Sequence, residues 1–279
     1  MARSRCLGVL VGLAAVAAAN PARADQGPER WEQLFFPYPI VGAPPQLEQQ
    51  AQLFSDTFEG PEGGGQVLSL ELAYILSPRW GLVLGAPYQL GFRGQSSGFG
   101  DLEVLAQYLV AGSIRADNML SAGILASFPT AQHGLGSGDY DVGPFAFAAQ
   151  RFWDRLTLGA NVTALLPVTS GQSTRRILSV ALLSVLVTPL RFRCPIFLQT
   201  EVDSATYLGG TAALPPGATR SPAQTVFIAP EILVGPFRTW LSGGTRLIAG
   251  VFFNLHGDSV HARTYSLAIS FDIPNPYGY

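Results

Sequence analysis

Charge is what this sequence has least of. Asp, Glu, Lys and Arg make up 13% of its 279 residues, about half the share of an ordinary soluble domain. Lysine is absent, and the 17 arginines are scattered among 19 acids. With no basic stripe to neutralise phosphates, nucleic-acid recognition is disfavoured. Cysteine is limited to Cys6 and Cys194, too few for a disulfide framework. Long hydrophobic runs are missing as well. A membrane helix needs roughly 18 continuous apolar residues, whereas the best stretch beyond the amino terminus, Ile177–Val187, is short and contains Ser179 and Ser184. There is no H-E-x-x-H, no Cys-x-x-Cys, no G-x-S-x-G and no phosphate-cradling loop. Gly98-x-Gly100 lacks a following helix and reads as a turn.

What is abundant is apolar surface: 48% of the residues are hydrophobic. The first two dozen form an export signal. Arg3 and Arg5 give the positive start, Leu7–Ala19 the apolar stretch, and Ala22-Arg23-Ala24 the A-x-A cleavage pattern. The mature chain then starts at Asp25, and losing Arg3, Arg5 and Arg23 moves the net charge from −2 to −5. Residues 25–47, including Trp31-Glu-Gln-Leu-Phe-Phe-Pro-Tyr-Pro-Ile, are aromatic and Pro-rich and form a periplasmic arm or a plug entering a lumen.

Beyond residue 48, apolar positions alternate with small or polar ones. Period 2 is what a strand between two environments requires, because successive side chains point to opposite faces. In Val67–Leu76, Leu68, Leu70, Leu72, Tyr74 and Leu76 oppose Ser69, Glu71 and Ala73. Asp101–Val110, Leu156–Val168, Phe192–Val202 and the segment from Tyr265 to Ile273 repeat the pattern. Such strands run ten residues or longer, against about 5–6 in a soluble sandwich.

The connections alternate too. Short ones are Ser77-Pro78-Arg79, Gly112–Asp117, Trp153-Asp154-Arg155, Thr188-Pro189-Leu190 and Gly235-Pro236-Phe237-Arg238. Between them fall the longer Glu59–Gly65, Gly91–Gly98, Thr130–Tyr140, Thr169–Thr174, Ser204–Ala223 and Asn254–Ala262. Short turns on one rim and long loops on the other is the pattern of outer-membrane barrels, with the short turns periplasmic. Trp80, Trp153 and Trp240 all lie at short turns, as an interfacial aromatic girdle requires. The expected fold is an all-β, antiparallel transmembrane barrel of about 12 strands (range 10–14), spanning 48–279, with a first strand over Gln49–Phe58. Pro87, Pro129, Pro144 and Pro167 fall near the wet rim, where a lost ladder donor is tolerable; Pro195 and Pro230 are expected to mark bulges.

Several stretches resemble a known family. Ala86-Pro87-Tyr88 ends one strand, and Gly98-Phe99-Gly100-Asp101 opens the next. Later come Phe128-Pro129-Thr130 and Gly136-Ser137-Gly138-Asp139-Tyr140-Asp141-Val142-Gly143-Pro144. This order is similar to the outer-membrane family named for the MetA pathway of phenol degradation, a group assigned as transporters. The likeness is best over residues 66–168, and Ala131 stands where the family's Pro-Thr-Gly has Gly. The resemblance implies a bacterial outer-membrane barrel moving aromatic or other apolar small molecules, and no catalytic residue.

With the apolar face toward lipid, the other face lines the lumen. Glu71, Asp101, Glu103 and Gln107 are expected there from early strands, and Asn161 from a middle one. Arg191, Arg193, Gln199, Glu201, Asp203, Glu231 and Arg246 follow from later ones. An acidic wall facing an Arg-bearing wall would set a transverse field across the pore. Ile177–Val187, apolar on both faces, would give the lumen a dry patch suited to an apolar ligand or a packed arm. His256-Gly-Asp258-Ser259-Val-His261 groups residues used by hydrolases, but a tight rim loop offers no pocket or oxyanion hole, and His133 has no sequence partner. The expectation is a non-enzymatic, cofactor-free channel for small apolar or aromatic molecules, partnered by outer-membrane lipid. The alternative is a plugged structural or adhesive barrel acting through its extracellular loops.

Overall fold

A computed structural model describes residue 47 and residues 49–273, apart from the connecting stretches 61–62, 92–96, 113–116, 132–134, 137–138, 154, 169–175, 189–193, 208–223, 238–243 and 257–262. The export signal and all of the amino-terminal arm except Leu47 lie outside the described residues, as do Trp240, His133, Asp258, Ser259 and His261. Among the described residues, no helix is long and apolar enough to cross a membrane.

The chain forms β1 (Gln50–Gly60), β2 (Gly63–Ser77), β3 (Trp80–Gly91), the two-residue β4 (Gly98–Phe99), β5 (Leu102–Gly112), β6 (Asn118–Phe128) and β7 (Asp141–Phe152). It continues through β8 (Leu156–Pro167), β9 (Arg176–Leu186), β10 (Ile196–Tyr207), β11 (Gln224–Phe237), β12 (Thr245–His256) and β13 (Arg263–Asp272). Each long strand pairs antiparallel with its sequence neighbours, and β1 pairs with both β2 and β13. The twelve long strands therefore close into a barrel, which leaves no unpaired edge for lipid to meet. Pairing positions climb the wall: Gln52 faces Glu71, Glu71 faces Gly85, Gly85 faces Glu103, Glu103 faces Ser127, and Ser127 faces Asp141. That row starts low on β1 and ends at the top of β7, as tilted strands demand.

Alternation decides which side chains look outward. Leu70, Leu72, Tyr74 and Leu76 of β2 are exposed, while Ala73 and Ile75 between them are buried. Leu183 and Val185 of β9 are exposed beside buried Leu182, Ser184 and Leu186. Leu247 and Phe253 of β12, and Tyr265 and Leu267 of β13, continue the outward apolar band. At the short-turn rim Trp80 stacks on Tyr108 with centroids 4.9 Å apart, and Trp153 beside Phe152 is 84% exposed. A second aromatic ring, which the tryptophans alone did not announce, stands at the other rim. There Tyr88 meets Phe99 at 5.0 Å and Phe128 meets Tyr140 at 6.1 Å. An apolar band between two aromatic girdles is the outer surface of a membrane barrel.

Several boundaries differ from expectation. Glu59–Gly65 is not a loop: Glu59 pairs with Gly64 and Phe58 with Gly65, so the connection shrinks to residues 61–62. The glycines serve packing, because a Cβ on Gly65 would collide with the Phe58 ring. Gly235-Pro236-Phe237 is not a turn but the end of β11, where the ladder to β12 shifts register between Val234 and Phe237. Pro230 is paired with Thr200 and its side of the ladder to β12 keeps register, so it marks no bulge. Thr188-Pro189-Leu190 belongs to a longer connection, since β9 ends at Leu186 and β10 begins at Ile196. The close approach at Gly143, whose Cβ would strike the Ala164 carbonyl, coincides with unpaired positions in the β7–β8 ladder next to Pro144.

An arginine placed on the outward band should resist assembly. Leu267→Arg, at a 55% exposed mid-strand position, is expected to lower folding stability in vesicles by about 3 kcal/mol. Reversible denaturant titration in lipid, read by tryptophan fluorescence, measures it.

Candidate functional site

The inward-facing side chains include two apolar clusters. One cluster spans β9 to β13 and β1: Phe54, Leu186, Phe197, Leu233, Ile248 and Phe252, with Ala229 and Ala268 as small spacers. The other spans β5 to β7: Leu105, Met119, Phe145 and Phe147 with Val83, Leu109 and Leu125 against them. The inward side of β9 supplies Val180, Leu182 and Leu186, all buried. That is the dry face expected of Ile177–Val187.

A hydrogen-bonded polar band crosses the strands that carry the first cluster. Ser184 Oγ donates to Gln199 Oε1 at 3.2 Å, and Gln199 Nε2 donates to Glu231 Oε2 at 3.0 Å. Glu201 is 0% exposed on the same wall. Across the lumen Gln107 Nε2 donates to Ser121 Oγ at 3.0 Å, and Thr163 Oγ1 donates to Asn161 Oδ1 at 3.2 Å. Glu71 and Glu103 flank Gly85 on neighbouring strands: a Cβ there would lie 3.9 Å from Glu71 Cγ and 3.7 Å from Glu103 Cβ. Gly85 thus leaves the space in which the two carboxylate side chains share one face.

Asp101 departs from this group. The strand begins only at Leu102, and Asp101 Oδ1 accepts the Ala131 amide at 3.1 Å. Its carboxylate holds the Gly-rich connection to the rim, because a strand's phase continues past its end while its wall does not. Thr130 does the same from the other side, its Oγ1 accepting the Leu102 amide at 2.9 Å. Arg191 and Arg193 lie outside the described residues.

The Arg-bearing wall opposite an acidic one does not assemble among the described residues. Gln199, Glu201, Asp203 and Glu231 line the later strands, so both walls carry acids. The buried cations sit low instead, Arg246 at the second position of β12 and Arg151 near the end of β7. Glu71, Glu103, Glu201, Asp203 and Glu231 stand at mid-height and above, whereas Asp272 at the foot of β13 sits with Arg246 near the short-turn rim. Arg246 also locks the closure seam. Its Nη1 donates to Gln50 Oε1 of β1 at 3.0 Å and pairs with Asp272 Oδ1 of β13 at 3.1 Å. Higher on the seam Ser266 Oγ donates to Asp56 Oδ1 at 2.6 Å.

No group of three or more metal-ligating side chains occurs among the described residues. His256 is exposed at the end of β12. In the upper lumen β1 and β9–β13 line an open cavity of about 270 Å³, walled by Leu178, Val180, Phe227 and Phe252 with Asp56, Asp203, Thr264 and Ser266. Sequence reading found its dry side on β9 but not the cavity, which exists only once these strands are in register.

The chain matches no family model and no curated protein. Its fold is that of solved outer-membrane barrels. An outer-membrane channel from Pseudomonas putida F1 aligns with a TM-score of 0.58 and 14% identity, over 86% of this chain and 100% of that one. The KdgM porin aligns with a TM-score of 0.50 and 11% identity, over 81% of this chain and 99% of that one.

Arg246 is 5% exposed but its partner Asp272 is 36% exposed, so water compensates part of the lost pair. Arg246→Ala is expected to destabilise the barrel by about 1–2 kcal/mol, chiefly through the lost charged hydrogen bond to Gln50. The readout is a lower temperature for the gel-shift transition from folded to unfolded migration, with the Arg246→Lys variant in between.

Proposed function

We propose that the chain is an outer-membrane channel that passes or binds small apolar or aromatic molecules, selecting them by lumen width and polarity without covalent chemistry. The observation that carries this reading is the inward apolar strip from Leu178 and Val180 through Phe252 and Phe227 to Phe197, Leu233 and Ile248. Solutes that present only polar groups lose hydrogen bonds against such a strip, so it favours those with an apolar face. The structural likeness to an outer-membrane channel supports the same reading, as does the resemblance of its short strand-end motifs to those of a transporter family. No covalent step is needed: His256 stands exposed at the rim.

A second reading, a plugged barrel acting through its loops, is favoured by Leu47. It is 9% exposed, and its Cδ2 lies 2.8 Å from where a Gly81 Cβ would be. Gly81 faces inward, so Leu47 itself reaches the lumen at the short-turn mouth.

Cells carrying the protein in their outer membrane are expected to take up the apolar dye N-phenylnaphthylamine several-fold faster than cells without it, with arabinose entry unchanged. Narrowing the strip by Val180→Trp should abolish the gain at equal barrel content. No gain in dye uptake from the intact chain, restored by deleting residues 25–46, would favour the plugged barrel instead.

A further inference from the structure

Two carboxylates line the upper cavity, and the reading as an apolar-solute channel does not account for them. The cavity's walls join the Phe227 and Phe252 rings and the aliphatic Leu178 and Val180 with the hydroxyl residues Ser179, Ser204, Thr264 and Ser266. Asp56 on β1 and Asp203 on β10 approach it from two directions. Asp56 is held by Ser266 at 2.6 Å. Asp203 is not so held: its Oδ1 is shut off from solvent and has no hydrogen-bond partner among the described groups. Burying an acceptor in apolar surroundings is unfavourable unless something answers it.

From this geometry we propose that the cavity is a binding site for small organic amines, with an aromatic or aliphatic body between Phe227 and Phe252 and an ammonium on Asp203. The chemistry fits at each point. An apolar cavity of about 150 Å³ admits benzene, so about 270 Å³ has room for a ring carrying a short aminoalkyl chain. An ammonium donates up to three hydrogen bonds and accepts none, which suits the Asp203 carboxylate and the nearby Asp56. Aromatic faces attract the same cation, and Phe227 and Phe252 both line the cavity. The buried arginines that could repel it, Arg246 and Arg151, lie toward the opposite rim. A carboxylate-bearing solute gains nothing here and meets like charge.

This inference rests on the channel reading but goes further, since that reading requires only an apolar body. The test compares 2-phenylethylamine, 2-phenylethanol and phenylacetate, three probes with one ring and different heads. Binding to the full-length protein in lipid nanodiscs is followed by calorimetry at neutral pH. The amine is expected to bind at least ten-fold more tightly than the alcohol, with phenylacetate weakest. Asp203→Asn, close in shape, should bring the amine down to the alcohol's affinity and leave the alcohol unchanged. Equal binding of amine and alcohol by the unaltered protein would overturn the amine site while leaving the apolar channel standing. Failure of all three to bind, together with no uptake of the apolar dye, would overturn both.

Discussion

Hydrocarbon offers no hydrogen-bond partner, and the whole architecture follows from that. A backbone crossing the membrane as strands must satisfy every N–H and C=O against a neighbour, so the last strand has to find the first. Here β13 pairs with β1 along its length, from Glu59 opposite Arg263 to Gln50 opposite Asp272. Arg246 ties both strands at the short-turn end. Once closure is required, period-2 alternation has a single meaning: one set of side chains meets lipid and the other a shared interior.

The interior is not a uniform polar pore. Most inward carboxylates occupy mid-height and the upper lumen, while Arg246 and Asp272 pair at the lower mouth. From the long-loop side downward the wall presents Phe227, Phe252 and Asp203, then the Gln199–Glu231 band, then Phe197, Leu233 and Ile248, and last the Arg246 pair. The same low-dielectric wall that strengthens each polar contact makes an unanswered one costly.

Much of this was legible in the chain. Strand phase in Val67–Leu76 and Leu156–Val168 and the two-faced apolar β9 follow from local chemistry, whereas the lengths of the connections at 61–62 and 187–195 do not. The weak first strand at Gln49–Phe58 also forms, because closure compensates for poor local pattern. What local pattern misses is where a strand stops and what lies across from it. Gly64 and Gly65 read as loop, yet they pair so that the Phe58 ring has room. Asp101 keeps the inward phase but sits beyond the wall, holding the Ala131 amide. Pro236 and not Pro230 attends the register shift in β11. The second aromatic girdle was readable from Phe99, Tyr140 and Tyr265 beside the long loops, had tryptophan not been weighed alone. The upper cavity was not readable, since Asp56 and Asp203 are brought together by closure and not by sequence.

The most direct measurement of the central claim is lipid accessibility along one strand. With Cys194 replaced by Ser, single cysteines at residues 68 to 76 of β2 carry a fluorophore, and quenchers are attached to the lipid acyl chains. A barrel wall gives strong quenching at 68, 70, 72, 74 and 76 and weak quenching at 69, 71, 73 and 75. Uniform quenching along the strand, or the opposite phase, would contradict it.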